Sequence, residues 1–319
     1  MATNRKYLLR MKKKLFLLFL VGWSILPLSA NRLAENADSL FIEPSRQSAD
    51  TTCLPFFNVF GEVMRSERPH RVHRHTHLGG IGRNHLYDNY LSPLDYTGFT
   101  AGYVFLAESP THDETARISI LKLVGLNLTS AKNPKKNGEF IDMELEAAFG
   151  CHFNRTWSNS SGGGNQNGRL RVALGGLAGL HLGGTYSSRN GNNPAQGRLA
   201  ADLSFSSIAE YGFRLWQQRW LWRTQLDLPL AGVMFSPQYG QTYYEIFELG
   251  HTNHNVCLTY FGNAPSMRAL STLSLPFGRN RLSVGIHLNY RQSHLNHLKR
   301  HAWNSMFVLG YTRTFKFFD

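Results

Sequence analysis

The sequence predicts an all-β fold, a transmembrane antiparallel up-and-down β-barrel, and three observations point to it. Apolar and polar residues alternate along whole segments, which is strand periodicity. After residue 30 no stretch reaches the roughly 18 uninterrupted apolar residues of a membrane helix. Only 17% of the 319 residues are charged, although 42% are apolar and 13% aromatic. Globular domains usually carry about a quarter charged residues. This composition excludes a disordered chain, a coiled coil or a disulfide framework.

The clearest segment sets Ile141, Met143, Leu145, Ala147, Phe149, Cys151 and Phe153 against Asp142, Glu144, Glu146, Ala148, Gly150, His152 and Asn154. A strand puts each set on its own face, whereas a helix would mix them on every face. The pattern returns with Leu170, Val172, Leu174, Leu180 and Leu182 opposite Arg169, Arg171 and His181. It returns again with Leu199, Leu203, Phe205, Tyr211 and Phe213 opposite Arg198, Asp202, Glu210 and Arg214, and with Leu282, Val284, Ile286 and Leu288 opposite Ser283, His287 and Asn289. Several polar-face positions are small, including Ala148, Gly150, Gly175, Gly179, Gly183 and Gly285. Small residues suit the inside of a narrow barrel, where bulky charges must be few and paired. Trp157, Tyr211, Trp216, Trp220, Trp222, Tyr239, Tyr243 and Tyr244 fit aromatic girdles at the two membrane interfaces.

In order, the strands are expected over residues 71–82, 96–107, 116–129, 139–154, 168–184, 198–214, 219–232, 241–249, 254–262, 267–276, 281–291 and 303–317. That makes about 12 strands; without the first and the eighth there would be 10. An even number returns both termini to the periplasmic side, where links are short. The links at 216–218, 250–253 and 277–280 obey that rule, and the Gly-rich link at 155–167 breaks it.

The amino terminus carries its own signal. Met11 to Lys14 is a basic cluster, Leu15 to Leu28 is an apolar run, and Leu28-Ser29-Ala30 supplies the small residues of a cleavage site. This order predicts a cleaved Sec signal peptide over residues 1–30, followed by a periplasmic lead-in over 31–70 and the barrel over 71–319. Cleavage would remove Arg5, Lys6, Arg10, Lys12, Lys13 and Lys14, so the formal charge would fall from +13 to +7. An exported chain with scattered charges offers no basic stripe, so a nucleic-acid partner is not expected. Cys53, Cys151 and Cys257 are odd in number and far apart, which suggests isolated apolar side chains rather than a redox pair.

Two stretches carry a family likeness: Leu91-Ser92-Pro93-Leu94-Asp95-Tyr96-Thr97-Gly98 ahead of a strand, and Phe235-Ser236-Pro237-Gln238-Tyr239-Gly240-Gln241-Thr242-Tyr243-Tyr244-Glu245. In these the chain, from about residue 70 to its end, resembles outer-membrane β-barrels of Gram-negative bacteria, and especially an uncharacterised barrel family of Bacteroides-type organisms. The resemblance implies an outer-membrane location. The lipid of that membrane, lipopolysaccharide and the barrel-assembly machinery would then be its partners. Such barrels often end in a terminal Phe; here the end is Phe317-Phe318-Asp319, displaced by one residue.

No constellation of residues identifies a reaction. His73, His75 and His77 alternate and share a strand face, with His70 and His85 nearby, but Arg71 and Arg74 stand among them and a carboxylate does not. A His-rich polar edge accounts for them better than a metal site. His294, His297 and His301 form a looser set in an expected outer loop, where lipopolysaccharide phosphate would be the functional contact. An outer-membrane lipid hydrolase would need a serine, a histidine and an orienting polar group. His251-Thr252-Asn253-His254 and Ser293-His294 supply the residue types, without a Gly-x-Ser-x-Gly elbow. Gly162 to Gly168 lacks the Lys-Ser or Lys-Thr ending of a phosphate loop. Asp142, Glu144, Glu146, Arg169, Arg171, Arg198, Asp202 and Arg214 are expected to share the lumen as an ion-pair network that closes a small barrel. The expectation is therefore a narrow channel or a structural barrel without catalytic turnover, with no catalytic, cofactor or metal residue assigned. The alternatives are a lipid-acting hydrolase and a soluble exported all-β binding protein.

Overall fold

The computed structural model describes residues 71–110, 117–158, 168–191, 193–215, 218–278 and 280–317. The expected signal peptide and lead-in, Cys53, His70 and Trp216 lie outside them. The chain divides into two compact units, and the larger, Phe41–Thr156 with Asn167–Asp319, contains the barrel. Of the smaller, Met1–Leu40 with Trp157–Gln166, only Trp157 and Ser158 are described.

The strands are β1 (Arg71–Asp88), β2 (Ser92–Pro110), β3 (Ile118–Lys132), β4 (Glu139–Ser158), β5 (Arg169–Ser187), β6 (Ala195–Leu215), β7 (Gln218–Phe235), β8 (Val256–Tyr260), β9 (Met267–Phe277), β10 (Asn280–Leu295) and β11 (Leu298–Phe317), with one short helix, α1 (Tyr243–Phe247), between β7 and β8. From β1 to β8 and again from β9 to β11 each strand pairs with the next, β7 passes over β8 to pair with β9, and β1 pairs with β11 from Arg71↔Phe317 to Asp88↔Arg300. Ten strands thus close an antiparallel up-and-down barrel, with β8 as an extra strand on the Ala231–Phe235 end of β7.

The count of 12 is corrected in two places, and the first expected strand, over 71–82, is present as β1. The eighth, over 241–249, is a helix. Thr242 and Glu245 form a capping box, in which the Glu245 N–H donates to the Thr242 hydroxyl at 3.2 Å and the Thr242 N–H to the Glu245 carboxylate at 2.7 Å. The Thr242 N–H and the Thr242 hydroxyl, both donating to the carboxylate, hold the Glu245 carboxyl below its ordinary pKa, and the box makes a helix start here. The ninth, over 254–262, shrinks to β8, which pairs with β7 alone. With ten strands in the ring, the ends of β4 and β5 that the 155–167 link joins still lie at the end of the barrel where β1 begins and β11 finishes. The long excursion from 236 to 266 lies at the opposite end, the one expected to face outward if residues 31–70 are periplasmic.

Polarity is inverted relative to a soluble sheet. On β4 the apolar set faces out, with Ile141 56%, Phe149 55% and Phe153 65% exposed, while Asp142, Glu144, Glu146 and His152 are buried inside. The same holds on β5 and β6, where Leu180, Leu182, Leu199 and Leu203 are exposed and His181, Arg198 and Glu210 are buried. An 18-residue strand extends about 60 Å, or about 45 Å along the axis of a barrel with the usual tilt. That exceeds the roughly 30 Å of a bilayer's apolar core, so strand ends can be polar or aromatic while strand middles must be apolar. Tyr211, Trp220 and Trp222 occupy such an end on β6 and β7. Tyr239, Tyr243 and Tyr244 do not, because they belong to the outer excursion rather than to a strand.

Two local features fix the closure. At Gly310 a Cβ would run into the carbonyl oxygen of His77 and the backbone of Leu78 on β1, so the seam needs glycine there. The β10–β11 hairpin turns through Asn296 and His297, both with positive φ (49° and 63°), as a two-residue turn matched to strand twist requires.

At this seam Gly310→Val is expected to cost about 2–3 kcal/mol, seen as a lower unfolding midpoint and loss of the fast cold mobility on detergent electrophoresis, whereas Ile81→Val on the outer face leaves both unchanged. The turn geometry predicts that His297→Gly stabilises the barrel by up to about 1 kcal/mol, because a histidine in the left-handed region is strained. An unchanged or lowered midpoint would contradict it.

Candidate functional site

The lumen is where the sequence concentrates its chemistry, because the inward faces of ten strands bring together side chains far apart in the chain. Its charges fall into three tiers. At the end where β1 begins, Glu108 and Glu210 sit among Arg74, Arg171 and Arg223. Arg74 reaches Glu210 at 2.5 Å and Arg223 Nε donates to it at 3.2 Å, while Arg171 donates to Glu210 at 3.1 Å and also to Glu108. In the middle, Arg268 bridges Glu146 and Asp227 at 2.8 Å each, and Arg291 donates to Glu146 at 2.9 Å and pairs with Glu144 at 2.7 Å. Toward the outer end, Asp142 accepts from Arg198 and Thr185 at 2.5 Å and from Arg300 at 3.3 Å.

Among the described residues, every cation paired with these carboxylates other than histidine is an arginine, never a lysine. A planar guanidinium can satisfy two carboxylates at once with less desolvation than an ammonium. Apolar side chains fill the remaining section. Leu78, Leu106, Leu121, Leu123, Leu177, Ile208 and Met306 belong to one buried cluster, and Leu86, Leu91, Tyr96, Phe140 and Ala302 to another. In the second, Tyr96 and Phe140 stack with ring centroids 3.6 Å apart.

Two small cavities remain beside the middle tier, about 70 Å³ and about 20 Å³, and both are lined by His181, Asp202 and Arg291. They hold a few waters at most. The larger reaches the wall at Ala231, Tyr260 and Ser266, where β6 and β7 carry a bulge at Leu203/Ser204 and where Pro229 has no N–H to give to a ladder.

Over the outer mouth, the Tyr90 hydroxyl donates to the Gln241 carbonyl at 2.9 Å, and the Gly197 N–H donates to the Tyr243 hydroxyl at 2.6 Å. Burial beside Tyr243 pushes the Tyr90 hydroxyl up to about 12. Asn296 Nδ2 donates to the carbonyls of Ser236 and His254, at 3.0 and 2.9 Å. The excursion from 236 to 266 is thereby tied across the end of the barrel.

Of the residues expected in the lumen, Asp142, Glu144, Glu146, Arg171, Arg198 and Asp202 are there, whereas Arg169 and Arg214 are exposed at strand ends. Arg223, Asp227, Arg268 and Glu108 went unrecognised. The run Arg223, Gln225, Asp227 on β7 alternates with Trp222, Thr224 and Leu226 and carried the signal.

His73, His75 and His77 share the outward face of β1, but each has its own partner. His73 meets the Ser109 hydroxyl at 2.6 Å, His77 meets Tyr103 at 2.7 Å, and the His75 ring packs edge-on against Phe105. They form a polar part of an aromatic belt. The His294, His297 and His301 set is split. His294 is exposed on β10, His297 lies in the turn, and the His301 ring stacks on His85. Arg300, next to His301 in sequence, is buried in the lumen.

Residues named for hydrolysis do not assemble. His251 and His254 give backbone carbonyls to Gln241 and Asn296. Two buried Ser, His and acid groups do occur, but in the wrong order. Ser206 stands between His152, at 2.8 Å, and Asp227, and Asp202 stands between His181, at 2.7 Å, and Ser204, at 2.8 Å. A triad needs the imidazole in the middle. The other ring nitrogen of His181 faces Arg291 at 2.8 Å, which leaves it no serine to deprotonate.

Comparison with functionally characterised proteins found no sequence match. Among solved structures, the chain is similar to Neisserial surface protein A, at 8% identity over 76% of this chain and 97% of that one, with a TM-score of 0.28. It is similar to Ail, the attachment invasion locus protein of Yersinia pestis, at 11% identity over 75% and 98%, with a TM-score of 0.25. It is also similar to an outer-membrane channel from Pseudomonas putida F1, at 10% identity over 85% and 100%, with a TM-score of 0.28. The fold itself is assigned from this chain's own strand pairing. A family model described as "Protein of unknown function (DUF3316)" matches residues 49–319, and the chain belongs to that family.

Proposed function

We propose that this chain is an exported outer-membrane protein that serves as a closed structural barrel, without catalytic turnover. One observation carries the reading: the exposed side chains of the strand middles are mostly Leu, Ile, Phe and Val, while the charged side chains of the three tiers are buried, paired and packed among apolar clusters across the lumen. A surface of this kind is costly in water and favourable against lipid. It therefore disfavours a soluble exported binding protein. The basic, apolar, small-residue order of residues 11–30 supports export and removal of residues 1–30, with 31–70 as a lead-in. Outer-membrane lipid, lipopolysaccharide and the barrel-assembly machinery are the partners this reading implies. The likeness to a Bacteroides-type family belongs to the same reading. The narrow-channel version is disfavoured because each tier spans the lumen with arginine held by two or more acceptors.

In planar bilayers the purified protein is expected to pass no sustained current and in lipid vesicles to release no fatty acid. Discrete current steps at ordinary salt would establish the channel instead, and lipid cleavage lost on His181→Ala would establish an enzyme. Arg268→Met strands Glu146 and Asp227 without their shared partner and is expected to cost about 3–5 kcal/mol. Adding Glu146→Gln and Asp227→Asn should recover more than half of that loss in the unfolding midpoint, because neutral groups need no counter-charge.

A further inference from the structure

We propose that His85, Asp95 and His301 bind a divalent transition-metal ion, zinc foremost, on the outer wall of the barrel at the seam that joins its first and last strands. The three residues lie far apart in sequence, and the register unites them. Tyr87 of β1 pairs with His301 of β11 on one side and with Asp95 of β2 on the other, and His85 lies two residues from Tyr87 on the same face. His301 Nε2 is 3.1 Å from His85 Nδ1 and 3.7 Å from Asp95 Oδ1, and Asp95 Oδ1 is 3.6 Å from His85 Nε2. With one ligand atom from each residue, the three lie within 4.8 Å of one another, against about 3.3 Å between the ligand atoms of a tetrahedral zinc with bonds of about 2.0–2.1 Å; His85 presents Nδ1 toward His301 and Nε2 toward Asp95 and would give one of them.

Two imidazole nitrogens and one carboxylate oxygen select zinc, copper or nickel over magnesium or calcium. They leave a fourth position for water or for a phosphate oxygen. The rings are held in place: His301 stacks on Trp303 at 4.9 Å and on Tyr87 at 5.3 Å, and His85 lies 5.4 Å from Trp303. Arg83 and Lys299 share this face, as does Lys132 opposite Thr97 on the next strand, and all three are exposed and so able to turn away. The His73, His75 and His77 set lacks this convergence, since each ring there is engaged elsewhere and no carboxylate joins them. An ion at His85, Asp95 and His301 staples β1, β2 and β11 together. The proposal does not depend on whether the lumen conducts.

The test uses the full barrel in detergent micelles, stripped with a chelator and checked for its cold electrophoretic mobility. Titration with Zn²⁺ should saturate at one ion per chain, and Co²⁺ in its place should give the visible absorption of a four-coordinate site. Excess Zn²⁺ should raise the unfolding temperature by about 5 °C. His301→Ala and Asp95→Asn should each weaken binding at least tenfold and abolish the shift, while the triple replacement His73→Ala, His75→Ala, His77→Ala leaves both intact. If His301→Ala does not fold, His85→Gln reads the same loss. Absence of saturable binding to the folded wild-type barrel overturns the proposal. So does equal affinity in wild type and Asp95→Asn, or binding lost only in the triple replacement.

Discussion

A sheet of ten strands closed on itself has no free edge, and its inside is too narrow for bulk water. Both of its faces must therefore be satisfied by something other than solvent, and that constraint organises everything else in the molecule. Outside, lipid is the solvent, so the outward residue at each alternate position is apolar. Inside, each charge must find its counter-charge among the other strands, because a buried ion without one is costly. The three tiers of arginine and carboxylate are the solution to that problem, and the leucine and aromatic clusters fill the section the tiers leave. Ion pairs of this kind add little net stability over a well-packed apolar filling. They do specify register, since a one-residue slip of any strand would send its charges into the lipid.

Arginine suits this role because of its reach and shape. Arg268 links strands on opposite sides of the lumen, joining Glu146 of β4 to Asp227 of β7. Arg171 likewise serves β2 and β6. Such cross-barrel bonds tie the wall to itself through its own interior. Two small cavities lie beside them, around His181, Asp202 and Arg291, next to the bulge where β7 leaves its regular ladder.

Period two was legible wherever lipid faced one side and charge the other, so β4, β5, β6 and β10 could be read residue by residue, and Asp142, Glu144, Glu146 and Asp202 were named in the lumen while Glu108 and Asp227 were not. Helix α1 was misread as a strand because Tyr243, Ile246 and Phe247 are good strand formers, although the Thr242-to-Glu245 spacing already carried the capping signal. The convergence of His85, Asp95 and His301 could not be read at all. It depends on β1 lying between β2 and β11, and closure of the ring is a property of the whole chain. Arg268 was missed for a related reason: β9 is short, and its alternation of Ala269, Ser271 and Leu273 against Arg268, Leu270 and Thr272 does not separate polar from apolar.

The tie between Asn296 and the carbonyls of Ser236 and His254 has a consequence for how the mouth is held. The excursion from 236 to 266 is anchored on β7 through β8, on Gly197 of β6, on Tyr90 and on the β10–β11 turn. Asn89 in turn exchanges hydrogen bonds with Lys299, its N–H donating to the Lys299 carbonyl at 3.1 Å and its Oδ1 accepting from the Lys299 N–H at 2.8 Å, which requires the first strand to meet the last. Anchors on both flanks of the seam exist together only in the closed ring, so the mouth draws on the same loop-closure entropy that joins the first strand to the last. Cover over the lumen and closure of the wall are thus one cooperative property, and a break at the seam loosens the far end of the excursion as well.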